Sequence, residues 1–355
     1  MIDLKIEVLL DSKDKMDYTK IIPQCKKQFH IVKLSGWRYN MDVVTLGESM
    51  VLFNPSTEGS IKYVYQFTKS IAGAESNVAI ALALLGHQVG WISQLGDDGF
   101  GHYIRSIIAG EGVDVSQVTF TSDHPTGILF KERFSYADPN VYYYRSHSAA
   151  SKLTPGDLNE SYIKQAKILH VTGITPALSE SARKTVLAAI DIAKRNGVLV
   201  SFDPNIRLKL WDIETAKPIL LDIIQKTDIL FPGIDEASML IGSSDPEDII
   251  RTFHKMGCSL IALKLGKDGC YLSNGAKAEF VQGFPVKRVV DTVGAGDGFA
   301  AGILSGILQK KSLLECGRLA NAIGALATMA TGDMEGYPTR LQVQQFLGES
   351  KLPDR

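Results

Sequence analysis

Residues 289–308 read VVDTVGAGDGFAAGILSGIL, with two aspartates and a run of glycines around the start of a long apolar stretch. The apolar part has the length and composition of a helix, and a helix start ordinarily needs a single Ser, Thr, Asp or Asn as its cap. The crowding calls for a second reason. With the helix beginning at 296–298, the GAG segment offers free backbone N–H groups at the positive end of the dipole, a cradle suited to phosphate. Glycine also lets a ligand approach the backbone closely. Asp297 conflicts with that cradle, because a carboxylate repels bound phosphate. The conflict disappears if Asp297 takes a proton from an attacking hydroxyl, a pairing of anion stabiliser and base that phosphoryl transfer requires. A bare GxGD also fits a capping Asp after a glycine-rich turn, so the rest of the chain must decide.

Outward from this stretch, strands and helices alternate. Met41 opens VVTLGE, the small-residue helix AESNVAIALALLG, QVGWISQLG and the helix DGFGHYIRSIIAGEG. Further on come AKILHVTG, SARKTVLAAIDIAKRNG, VLVSFDPN, AKPILLDIIQKT, DILFPG, PEDIIRTFHKMG and SLIALKLGKDG. Continuous apolar strands between amphipathic helices predict an α/β fold: a mostly parallel sheet with helices on both faces. Two segments break the rhythm, at about 51–70 and 126–147. There Tyr, Phe and Ile alternate with polar residues, which predicts antiparallel strands forming a small β-sheet lid. Residues 1–40 differ from the rest: DSKDKMDYTK is charged, and the first glycine is Gly36. Three readings stand for this segment: an extension, a poorly ordered arm, or an upstream stretch outside the native reading frame. The domain proper is expected over 41–346, with 347–355 as a short tail.

The 355 residues suffice for a sizeable core. With 38 basic against 39 acidic residues, no global field draws the chain to nucleic acid or an anionic membrane, and any bound anion must be gripped locally. No stretch approaches a membrane span, and no secretory apolar region with a cleavage site is present, so a cytoplasmic location is expected. Cys25, Cys258, Cys270 and Cys316 lack CxxC spacing and read as free thiols. His147 and His170 have no partner at ligand spacing, so surface or core roles are expected of them.

Two long motifs, in order, carry a resemblance. DTVGAGDGFAAG resembles the C-terminal signature of the ribokinase-like carbohydrate kinases of the phosphofructokinase-B type, and AGAESNVAIALALLG, at 72–86, resembles their N-terminal signature. The resemblance runs from Met41 to Phe346. It implies a Rossmann-like domain with a lid, ATP with Mg²⁺, and phosphorylation of a sugar-like hydroxyl. Carried over residue by residue, it makes Asp297 the base and Gly294, Ala295 and Gly296 the anion hole. Gly73, Ala74 and Asn77 become the sugar-contacting turn. Lys264, Gly266 and Gly269, in KLGKDG, fall on the nucleotide side with Asn205 and Asn321, although KLGKDG alone also reads as a strand and a tight turn. Family members often hold a monovalent cation such as K⁺, and Asp291 with the Val293 carbonyl stands where that site would begin. The family's N-x-x-E motif departs here to Gly233 and Glu236. That puts the Asn role in doubt and leaves Glu236 to reach Mg²⁺ through water, or else to serve as a first-turn helix acid with Asp235.

The substrate is read elsewhere. A sugar acid needs a fixed cation, preferably Arg. VYYYRSHS supplies Tyr143 and Arg145 at the end of a lid strand, and SFDPNIR supplies Asn205 and Arg207 beyond a core strand, where ligands collect in α/β sheets. Both segments, like GAESN, resemble the branch of the family that acts on 2-keto-3-deoxygluconate. On that resemblance Tyr143, Arg145 and Arg207 take the keto-acid end, with Arg207 shared with phosphate. The rivals are fructokinase or another sugar kinase, a silent sugar sensor, and a dinucleotide-dependent oxidoreductase. The last is weakened because no G-x-G-x-x-G follows VVTLGES. Pairing of exposed lid edges into a homo-oligomer is also expected.

Overall fold

A computed structural model describes residues 41–350 except 135–136. The expectations for residues 1–40, for the last five residues of the tail and for Cys25 therefore lie outside the described residues. The strands are β1 (Met41–Leu46), β2 (Met50–Pro55), β3 (Phe67–Ala72), β4 (Val89–Gly96), β5 (Val118–Thr121), β6 (Ile128–Phe134) and β7 (Ala137–Tyr144). They continue with β8 (Ala166–Thr172), β9 (Leu199–Asp203), β10 (Ile229–Leu230), β11 (Leu260–Lys264), β12 (Gly269–Ser273) and β13 (Ala278–Gln282). The helices are α1 (Ala74–Leu84), α2 (Gly99–Gly110), α3 (Glu160–Ile163), α4 (Ile174–Leu178), α5 (Glu180–Arg195) and α6 (Ile213–Gln225). After them come α7 (Ile234–Ile241), α8 (Pro246–Lys255), α9 (Ala295–Leu308), α10 (Leu313–Ala327) and α11 (Arg340–Phe346).

Nine strands form the main sheet in the order β13-β12-β11-β10-β9-β8-β1-β4-β5. It is parallel from β11 to β5, and the β12–β13 hairpin closes one edge antiparallel. Successive strand residues point to opposite faces, and each face has its own core. Val43, Trp91, Ile168, Ile229 and Ala262 pack with α1, α2, α9 and α10. Their chain neighbours Val44, Ile92, Leu169, Leu230 and Ile261 pack with α5, α6, α7 and α8 on the other side. Strand order reverses between β8 and β1, the switch point where α/β sheets open a ligand crevice.

The lid is a separate four-stranded sheet, β3-β2-β6-β7. Its outer pairs are antiparallel, as expected of these segments, while the central pair, β2 and β6, runs parallel. The two hairpins are contributed separately, with α1, β4, α2 and β5 between them, and the second enters in the same direction as β2. Cys258, Cys270 and Cys316 are buried free thiols. His170 is a buried core residue bonded to Ser201 Oγ at 2.9 Å, its pKa pushed down to about 3 by burial. Among the described residues no helix is long and apolar enough to cross a membrane.

Candidate active site

Helix starts divide into two kinds. Asp98, Ser179, Asp212 and Asp245 cap α2, α5, α6 and α8 with side chains that accept backbone N–H groups. α1, α4, α7 and α9 instead begin on glycines with no side-chain cap, and of these Gly73 and Gly294 line one cavity of about 710 Å³ at the carboxyl edge of the sheet. The first N–H groups of a helix have no acceptor inside it, so the amino end of α9 is left open to a ligand. Gly294 is obligatory: its φ is +82°, and a Cβ there would stand 2.2 Å from the Asp333 carbonyl. A Cβ on Gly296 would meet nothing within 4 Å, so that glycine leaves space on the ligand side.

Asp297 lies in the first turn of α9, 9% exposed. Asn77 Nδ2, from α1, donates to its Oδ2 at 2.8 Å. Burial lifts the Asp297 pKa to about 7; the Asn77 bond and the Arg207 charge oppose that rise, while the Asp203 and Asp333 charges add to it. The candidate base is thus poised near neutrality. Gly73 packs its backbone against the Glu48 carbonyl, where a Cβ would come within 2.4 Å, and Ala74 and Asn77 line the same wall.

Tyr143, Arg145, Asn205 and Arg207 also line the cavity, so the lid strand and the loop after β9 both reach it. Their states differ. Arg145 Nε donates to Glu48 Oε2 at 2.7 Å, and Nη2 reaches the same oxygen, which neutralises much of its charge. Arg207 is exposed to the cavity; its carbonyl accepts the Leu210 N–H at 2.8 Å, but its guanidinium has no hydrogen-bond or ion-pair partner among the described residues. Asn205 holds φ +37°, and its N–H donates to Asp203 Oδ1 at 3.1 Å, in the turn that leads to Arg207 on the cavity lining.

Lys264 lines the cavity paired with Asp203, at 2.8 and 2.9 Å, and 3.7 Å from Glu236. Desolvation disfavours its charge, yet the two carboxylates hold its pKa above the usual value. Glu236 does not line the cavity. Its Oε2 takes the Gly233 N–H at 2.7 Å and its Oε1 the Ile206 N–H at 2.9 Å, so it braces the loop bearing Arg207. Gly266, with φ +60°, and Gly269 form the tight turn into β12 beyond the lining, and Gly266 leaves open space on its Cβ side. Asn321 also lies outside the lining; its Nδ2 donates to the Val281 and Gln282 carbonyls.

The expected cation site at Asp291 and Val293 is corrected by the structure. Lys131 Nζ, from β6, lies 2.9 Å from Asp291 Oδ2 and 2.8 Å from Asp333 Oδ1, with all three side chains buried. Asp291 Oδ1 accepts the Val293 N–H at 3.1 Å. A monovalent metal ion does not fit a place already filled by an ammonium group. Mg²⁺ is a different case, because it binds through phosphates, waters and one or two carboxylates rather than a protein cage. The donor set agrees: among the described residues no three His, Cys, Asp or Glu side chains are grouped to hold a metal, while Asp297 and the Lys264-paired Asp203 both line the cavity.

Several contributors were not singled out from sequence. Glu48, Lys131 and Asp333 are the distant partners just described. Lys209 stands 6.0 Å from the Tyr143 ring centre, and Arg145 stands 5.6 Å from it, so the ring sits in a cationic surround. Glu75, in GAESN, is fully buried with its pKa raised by desolvation, and it accepts the Thr172 and Thr175 hydroxyls, each at 2.8 Å.

Residues 40–340 match the pfkB family of carbohydrate kinases. The chain is 45% identical over 313 residues to a 2-dehydro-3-deoxygluconokinase from Bacillus subtilis (strain 168), covering 88% of this chain and 97% of that one. It is 34% identical to fructokinase-1 from Zea mays, covering 86% of this chain and 97% of that one. An Escherichia coli protein assigned as a ribokinase II, solved with ATP and Mg²⁺, superposes with a TM-score of 0.81 at 28% identity, covering 87% of this chain and 100% of that one.

Proposed function

The chain belongs to the pfkB family of carbohydrate kinases, and on that premise we propose that it transfers the γ-phosphoryl group of ATP to the terminal hydroxyl of 2-keto-3-deoxygluconate. Asp297 takes the hydroxyl proton as the oxygen attacks phosphorus, and ADP leaves with the bridging oxygen. The uncapped amino end of α9, at Gly294, Ala295 and Gly296, holds the charge that builds on the transferred group. Asp203 and Asp297 are the lining carboxylates that would lie nearest a Mg²⁺ ion carried by the phosphates, which would supply neutralisation of phosphate charge. The lid covers the sugar acid and keeps water from the phosphoryl group.

The observation that carries the substrate is Arg207, a guanidinium unpaired among the described residues, aimed into a cavity with Arg145 and Lys209 close by. A carboxylate matches the one lining guanidinium that has no described partner, whereas a neutral sugar leaves it unanswered. The similarity to the B. subtilis relative points the same way. Side-by-side kinetics should give kcat/KM for ketodeoxygluconate at least about a hundredfold above that for fructose, the scale of one well-made charged contact. A preference for fructose would move the chain to the fructokinase reading.

A base that must be ionised, with its pKa lifted to about 7, sets the pH profile. The kcat/KM should rise roughly tenfold per pH unit below about 7 and level off above it. A flat profile from pH 5 to 8 would remove Asp297 from the role. The lid ends in edge strands β3 and β7, with Tyr65 and Tyr144 exposed, which supports self-association through the lid.

A further inference from the structure

The charged group best hidden in the lid is Lys131, and the reaction as derived does not use it. Its side chain is 2% exposed. It leaves β6 beside Leu129, which lines the cavity, and ends between Asp291 and Asp333 at 2.9 and 2.8 Å. Those carboxylates belong to the two segments that grip the start of α9. Asp291 Oδ1 holds the Val293 N–H, one residue before Gly294. The Asp333 carbonyl lies so close to Gly294 that a Cβ would come within 2.2 Å, and Tyr337 Oη donates to the Gly294 carbonyl at 2.8 Å. The ammonium therefore ties together both sides of the turn whose N–H groups face the phosphate.

We propose that Lys131 is the built-in cation of the phosphate cradle, a positioning residue that takes the place of a bound monovalent ion and makes turnover independent of K⁺. Two buried carboxylates side by side need a counter-charge. A tethered ammonium supplies it without a binding equilibrium, and because it arrives on a lid strand the cradle is completed only where the lid is in place. The inference rests on the reading of the α9 amino end as the phosphate site.

The test is a titration of K⁺ and NH₄⁺ against a choline background, on the wild type and on Lys131→Met. Wild-type kcat is expected to stay within about twofold throughout. Lys131→Met removes the charged end and keeps the rest of the side chain's length, and without K⁺ its kcat should fall by about a hundredfold or more, as when one partner of a buried ion pair is lost. K⁺ or NH₄⁺ should restore it at least about tenfold, with KM for the sugar little changed, and should raise Tm in the variant only. A merely structural lysine would not give that split. Wild-type kcat that climbs more than about fivefold with K⁺ would overturn the proposal, as would a folded variant that no cation restores. If the variant does not fold, the wild-type titration decides alone. The reading of the α9 site fails separately, by an Asp297 variant that keeps its turnover.

Discussion

Asp297→Asn is expected to lower kcat by about a thousandfold, the middle to upper range for loss of a positioned general base. Dissociation constants for ATP and ketodeoxygluconate should stay within a few-fold, because Asn keeps the shape and can still accept from Asn77 Nδ2, now 2.8 Å from the carboxylate. Isothermal titration alongside initial rates separates the two effects. The same variant carries a stability signature. Burial raises the Asp297 pKa from 3.8 to about 7, so between those values the folded protein holds a proton that the unfolded chain has already released. This group's contribution is therefore at its most favourable below pH 4, declines as pH rises, and is fully lost above about 7. Asn cannot ionise, so the variant should be the more stable protein at pH 8, by up to a few kcal/mol at about 1.4 kcal/mol per unit. The advantage should shrink towards pH 5. A variant that turned over at near wild-type rate would remove Asp297 as the base.

Arg207→Leu is expected to cut kcat/KM for ketodeoxygluconate by about a hundredfold or more, since a charge-assisted bidentate contact is worth roughly 1.5 to 3 kcal/mol per bond. Fructose, with no carboxylate, should lose less than about threefold. Arg207 is the cleaner choice of the two arginines. It has no described protein partner to strand, whereas removing Arg145 leaves buried Glu48 without its guanidinium and mixes stability with recognition. Equal losses on both substrates would assign Arg207 to the phosphoryl group and take the carboxylate contact away from it.

Glycine patterns were the most legible part of the chain, because only backbone chemistry explains them. DTVGAGDG and AGAESN each place a helix start without a side-chain cap on the cavity wall. The parallel sheet was legible for a similar reason: strands such as AKILHVT are apolar on both faces because helices cover both. Pairing between distant segments was not legible. Lys131 sits in FKERF, where a lysine on a strand reads as solvent-facing, and only the fold brings it to Asp291 and Asp333, which lie 160 and 202 residues away in sequence. Arg145 showed as a cation, but its quenching by Glu48 depends on a contact across 97 residues. The parallel β2–β6 pairing was hidden because alternation marks a strand and not its direction. Gly233, which looked like a lost Asn, turns out to donate its own N–H to Glu236, a bond any residue but proline could make.

The contrast between Gly294 and the loop after β9 bears on how such an enzyme changes over generations. Gly294 is enclosed by the Asp333 carbonyl and the Tyr337 hydroxyl, so almost any substitution there is lethal to the site. Arg207, Leu208 and Lys209 stand exposed at the cavity mouth, and of the three side chains only Lys209 has described partners, the Val141 carbonyl at 3.3 Å and the Tyr143 ring. With the roles proposed above, inheritance is strict for the group transferred and lax for the molecule that receives it. A lineage can exchange one acceptor for another through a few mouth residues while the 294–297 turn passes on unaltered.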